Sequence, residues 1–229
     1  MDLDTQIYVR KSCRKYSDEE IDFKLIDDFL SNVTPLIPQI NYSYRIYKKE
    51  EVNLKTKWSA PYYLAIFSEK KEDYGLNVGF VFQQLSLYLQ KNNIGSCWVG
   101  LGSLKEKNPE FVILIAFGKS EDLTRDISKF KRKKLLEISD FEDEKLIPAQ
   151  LAPSAVNSQP WYFKHTDEGF DVYKIKYNVV KRKIFGKWND IDVGIALAHL
   201  YVSNPDTFNF EIKNKENIKG HTYLGSLKI

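Results

Sequence analysis

Apolar positions recur along the chain in two spacings, and the switches between them mark out its elements. Ile21, Leu25, Ile26, Phe29 and Leu30 follow the spacing of one helix face, with Ser17 and Glu20 placed as a capping box ahead of them. Two short runs rich in aromatic and β-branched residues, 42–47 and 62–67, predict strands, the second behind a turn signal at Ala60-Pro61. Helical spacing returns over residues 76–89, with Val78, Val81, Phe82, Leu85 and Leu89 on one side, and the break Asn92-Asn93-Ile94-Gly95 stops it. Residues 111–117 are apolar throughout, as in a central strand.

After a basic connector at 129–134 the pattern partly begins again. Leu135, Leu136 and Ile138 follow a basic lead, residues 170–175 read as a strand, and a helix runs over 192–200. That helix, Asp192-Val-Gly-Ile-Ala-Leu-Ala-His-Leu200, echoes Asn77-Val-Gly-Phe-Val-Phe-Gln-Gln-Leu85. The Val-Gly pair and the last Leu are shared, and each segment follows a strand. The chain therefore reads as α+β, two related sheet-and-helix halves over 1–128 and 129–229.

Composition narrows the setting. Hydrophobic residues make up 43% of 229, enough for a sizeable core. A net charge of +3 demands no polyanionic partner but would not repel a phosphate group. Two cysteines, Cys13 and Cys97, form no disulfide framework, which points to a reducing, cytoplasmic setting. No stretch is long and apolar enough to span a membrane, and the polar amino terminus is no secretory signal. The basic run at 129–134, with Phe130 inside it, has no accompanying nucleic-acid motif and reads as no nucleic-acid interface. His165, His199 and His221 lack metal-ligand spacing.

The most specific stretch is Ala152-Pro-Ser-Ala-Val-Asn-Ser-Gln-Pro-Trp-Tyr-Phe163. Pro153 and Pro160 bracket a loop of small and hydrogen-bonding residues. It offers a hydroxyl at Ser154 and amides at Asn157 and Gln159, which suit a polar ligand. A capped turn anchored by a buried Trp161 is the other reading of the same residues.

This loop resembles the flavin-contacting loop of the FMN-dependent nitroreductase family, and three further stretches resemble the same family. Arg10-Lys11-Ser12-Cys13-Arg14 matches its amino-terminal Arg-x-Ser-x-Arg/Lys signature. Gly95-Ser-Cys-Trp-Val-Gly100 matches the segment beside the flavin ring. Lys131-Arg132-Lys133 matches its late basic phosphate contact. The resemblance implies a nitroreductase-like fold and a cofactor site made from Arg10, Lys11, Ser12, Arg14, Trp98, Val99, Gly100, Arg132, Lys133, Pro153, Ser154, Ala155, Asn157 and Gln159. Alternate residues of an extended strip face one way, which puts Arg10, Ser12 and Arg14 on one edge. Arg10 and Ser12 suit the phosphate dianion. By the resemblance, Arg14 stands near N1 and the C2 carbonyl of the ring, where a cation favours the reduced flavin. The main chain at Val99 and Gly100 would lie beside N5, with Trp98 packed on the core.

The chain departs from that family in a patterned way. The slot after the first helix reads Asn32-Val-Thr-Pro-Leu-Ile-Pro-Gln-Ile40 and lacks the Pro-Ser-x-x-Asn-x-Gln pattern, whose good copy comes only in the second half. Conversely, nothing after residues 192–200 matches Gly95–Gly100. The losses are complementary, so one composite site keeps all its parts. The expectation is a fused pseudo-dimer, as in a subgroup of this family, acting as a monomer with one FMN. It would pass two electrons from NADH or NADPH to a small organic acceptor by a ping-pong scheme, with no side chain acting as nucleophile. A non-catalytic FMN-binding or storage protein, a flavin enzyme of another reaction such as reductive dehalogenation, and a relic without cofactor share the same motifs.

Overall fold

Along the chain the elements run α1 (Asp4–Val9), α2 (Lys24–Leu30), β1 (Tyr42–Lys48), β2 (Val52–Leu54), β3 (Tyr62–Ser68), α3 (Tyr74–Lys91), β4 (Ile94–Val99), β5 (Gly102–Leu104) and β6 (Phe111–Lys119). They continue with α4 (Leu135–Ile138), α5 (Ile147–Leu151), β7 (Trp161–Thr166), β8 (Gly169–Ile175), α6 (Asn189–Ser203), β9 (Asn209–Glu211) and β10 (His221–Lys228). The structure, a computed structural model, describes residues 3–177, 186–213 and 215–229.

The strands form two four-stranded antiparallel sheets of mixed α/β architecture, ordered β1-β3-β6-β4 and β7-β8-β10-β9, beside a small β2–β5 pair. Each large sheet takes two strands before a long helix and two after it, and the last strand in sequence inserts next to the second. The expected strands at 42–47, 62–67, 111–117 and 170–175 are β1, β3, β6 and β8, and β6 lies inside its sheet.

α3 and α6 pack on each other, and each touches strands of its own sheet. Both are apolar nearly all round, the pattern of a helix buried on every side rather than along one stripe. Their closest approach is reciprocal. A Cβ on Gly79 would lie 2.1 Å from the carbonyl oxygen of Ile191, and a Cβ on Gly194 would lie 2.1 Å from that of Leu76. Leu76 and Ile191 each stand three residues ahead of the glycine on their own helix. The shared Val-Gly pair is therefore where the two backbones meet.

Polar side chains inside this pair hold loops at matched positions. Asn77 on α3 accepts from the Ile37 N–H (2.9 Å) and donates to the Ile40 carbonyl, while Asp192 on α6 accepts from the Ala155 N–H (3.0 Å). Trp98 Nε1 donates to Gln83, Gln83 Nε2 donates to His199 Nε2, and His199 Nδ1 donates to the Pro148 carbonyl. This chain of bonds needs a neutral imidazole. Burial, with Arg10 nearby, holds the His199 pKa down at about 3.

The start of the first predicted helix moves. Ser17 does not cap it: its N–H bonds the Lys119 carbonyl and its hydroxyl bonds Glu19, so the chain is still paired to β6 there. α2 begins only at Lys24, whose N–H is accepted by Asp22. α1, α5, β2, β4, β5, β7, β9 and β10 were not legible from the periodicity.

Candidate functional site

Residues 10–14 form an extended strip. Arg10 bridges Thr124 and Ser12 bridges Ser96 on β4. The alternation holds: Arg10 Nη2 donates to Ser12 Oγ (2.9 Å), and Arg14 lies beyond on the same side. Lys11 and Cys13 turn the other way, the first pairing with Asp122 and the second donating its thiol to the Asp122 carbonyl.

The loop of residues 153–159 is stitched to the basic run. Arg132 donates to Asn157 Oδ1 (2.6 Å) and to the Leu151 carbonyl, and Asn157 Nδ2 donates to the Lys131 carbonyl. Lys133 N–H bonds Gln159 Oε1 (2.9 Å) and Lys133 Nζ bonds the Gln159 carbonyl. Ser154 Oγ accepts from the Gln159 N–H. The loop backbone is strained: Val156, Asn157 and Gln159 have φ of 49°, 58° and 46°. A β-branched residue in the left-handed region is costly, and such strain survives where surrounding bonds over-determine it, often at ligand sites. Trp161 at the loop's end is fully buried.

Between the two segments opens a cavity of about 450 Å³. Ser12 and Arg14 border it from the strip, Cys97 to Gly100 from β4 and its end, Pro153 to Val156 from the loop, and Trp188, Ile191, Asp192 and Ile195 from α6 and the turn before it. Thr56 and Trp58 close another side, with the Arg14 guanidinium 6.0 Å from the Trp58 ring centre. Gly100 lies flat against an indole: a Cβ there would be 2.8 Å from the Trp188 ring. Burial pushes the Cys97 thiol up, so it is a neutral lining group.

Beside the cavity stands a cluster of positive charge. Arg10 is 4% exposed, and its Nη1 is buried with no partner. Burial first, then Arg125 and Arg132, lower its pKa to about 9. Arg132 falls to about 10 by burial and by Arg125, and Arg125 is lowered by burial and by Arg14. Among the described residues none of these four arginines pairs with a carboxylate. Arg125 Nε donates to the Arg10 carbonyl and its guanidinium lies 4.0 Å from the Phe130 ring centre, so the cluster is held in place. Cations concentrated in this way are suited to an anionic group.

Of the residues singled out in the sequence, Ser12, Arg14, Trp98, Val99, Gly100, Pro153, Ser154 and Ala155 border the cavity. Arg10 and Arg132 belong to the arginine cluster; Asn157, Gln159 and Lys133 tie the loop to the basic run; Lys11 faces Asp122. Sequence reasoning missed Arg125, Trp58, Trp188 and Asp192. Only Asp192 carried a signal, an acid inside an otherwise apolar helix run.

Residues 2–204 match the model of the family described as "Putative TM nitroreductase". The fold is similar to the crystal structure of a "putative nitroreductase" from Thermotoga maritima MSB8. The TM-score is 0.65 at 22% identity, over 98% of this chain and 93% of that one. No curated protein matches the chain.

Proposed function

The chain belongs to the TM nitroreductase family, and on that premise we propose that it is an oxidoreductase holding one FMN in the cavity described above. Bound FMN would supply two-electron chemistry, taken from NADH or NADPH and passed in a second half-reaction to a small organic acceptor. The observation that carries this reading is the adjacency of two unlike environments. An arginine cluster that pairs with no carboxylate among the described residues, with an unpartnered buried Nη1, joins an apolar cavity between tryptophans through the Arg10–Ser12 bond. A phosphate dianion attached to a flat aromatic ring fits that junction better than either part alone.

The chain's own residues divide the work. Arg10, Ser12, Arg125 and Arg132 would hold the phosphate, with charge-assisted bonds relieving the mutual repulsion of the arginines. Arg14, on the cavity wall with Trp58 behind it, would orient the ring and favour its reduced, anionic form. The Gly100 main chain, whose missing side chain leaves room for the Trp188 indole, would lie along a ring edge. Trp58, Trp188 and Ile195 would exclude water. We also read the chain as a fused pseudo-dimer of halves 1–128 and 129–229, working as a monomer. The shared strand order of the two sheets and the reciprocal glycine contacts support that reading.

Anaerobic stopped-flow mixing tests the function. Protein purified with FMN should lose oxidised-flavin absorbance with NADH or NADPH and regain it with a quinone or nitroaromatic. Protein that stays colourless in excess FMN would end the cofactor reading, and bound flavin that neither nucleotide reduces would make the chain a binding protein.

A further inference from the structure

One group on the cavity is not accounted for by cofactor binding. Asp192 is 3% exposed, yet it borders the cavity. Both carboxyl oxygens lie on a single donor, the Ala155 N–H, at 3.0 and 3.2 Å, and no cation pairs with it among the described residues. Holding that N–H does not call for an acid. At the matching place on α3 a neutral amide, Asn77, accepts the Ile37 N–H at 2.9 Å. What a carboxyl adds over an amide is a proton that can leave.

The other ionisable groups on the cavity are few. The strip before α2 contributes Arg14 and β4 contributes Cys97; the loop of residues 153–156 contributes none. Asp190, two residues earlier on α6, is paired with Lys174. An acid so placed, buried and with one N–H as its sole support, stays protonated at neutral pH; burial raises its pKa to about 8.

We propose that Asp192 is a carboxylic acid that donates its proton to an oxygen of the acceptor bound in this cavity beside the cofactor. This rests on the oxidoreductase reading above. An acceptor that takes up a hydride equivalent at a carbonyl group is left with an oxyanion. The O–H bond of Asp192 breaks, a new O–H bond forms on the acceptor, and the carboxylate regains its proton from water. A neutral acid on the cavity wall is the group that can donate to that oxygen.

Asp192→Asn is the discriminating variant, because Asn77 shows that an amide can hold the loop N–H. Infrared difference spectroscopy, which needs no turnover, should show a protonated-carboxyl C=O band in wild type that fades as pH rises through about 8 and is missing in Asp192→Asn. Identical spectra for the two proteins would overturn the proposal. In stopped flow with the FMN-loaded protein, reoxidation by menadione should slow at least about tenfold in Asp192→Asn. The variant should also lose the alkaline fall in rate expected of the wild type. An unchanged reoxidation rate and pH profile would make Asp192 purely structural. A colourless protein would instead fail the cofactor reading, and the infrared band would still report the state of Asp192.

Discussion

The two sides of the central helix pair use one skeleton for different ends. On the α3 side, Asn77 holds the loop at Ile37 and Ile40, and the space ahead of Phe80 is filled: its ring packs on Tyr201 (5.3 Å) and Phe208 (5.7 Å). On the α6 side, Asp192 holds the loop at Ala155, and the matching residue, Ile195, faces an open cavity flanked by arginines. A fully satisfied amide with aromatic filling makes a core, whereas an acid on one N–H beside a cavity makes a candidate site. The difference is carried by a few side chains on a common frame, as expected where function is grafted on a fold.

The largest expected effect concerns the two polar positions themselves. Asp192 has a folded pKa of about 8 against an ordinary value of 3.8, so the folded state keeps a proton that the unfolded chain releases. Stability should therefore be full below about pH 4 and fall as pH rises towards 8, by up to about 1.4 kcal/mol per pH unit. Asp192→Asn should flatten this slope in urea titrations run at several pH values. Asn77→Asp should create a similar slope on the other side, because an ionised carboxylate would face the Ile40 carbonyl. Parallel slopes for wild type and Asp192→Asn would mean that the acid is solvated in the folded protein.

Next come the glycines at the crossing. Gly79→Ala and Gly194→Ala each place a methyl 2.1 Å from a backbone oxygen, which a packed helix pair cannot absorb by moving a side chain. Each should cost about 3 kcal/mol or more by denaturant unfolding. The two costs should be alike. One tolerated and one not would break the matched-helix description.

Smaller in scale is the contrast at the arginine cluster. Arg10→Ala should weaken FMN by roughly ten- to a hundredfold, as for loss of a bond to a charged group, and riboflavin much less. Equal losses for both ligands in fluorescence titration would move the phosphate elsewhere. Smallest of all is Arg14→Ala, which should lower the flavin midpoint potential while changing FMN affinity little.

The sequence was most readable where local chemistry and tertiary role agree. The loop at 153–159 announced itself by Pro153, Pro160 and its amides, the strip at 10–14 by alternation, and the long helices by their repeated Val-Gly. It misled at Ser17, whose capping pattern is genuine in composition but whose N–H is already used by Lys119. β10 escaped because a bulge between Tyr223 and Gly225 breaks the alternation, leaving Leu224 and Leu227 buried three apart. β4 hid because most of its residues are buried on both faces, so no period of two appears. Arg125 and Trp188 had no local signature, since their place depends on chain brought back from elsewhere in the fold.

We propose that one chain completes one site, with Arg10 from the first half and the 153–159 loop from the second. Light scattering combined with flavin absorbance measures it directly, on wild type and on a co-refolded mixture of Arg10→Ala and Asn157→Ala. A chain that completes its own site gives a monomer with one FMN and no recovery of binding in the mixture. Dimers holding two flavins, or binding rebuilt by mixing the two variants, would contradict it.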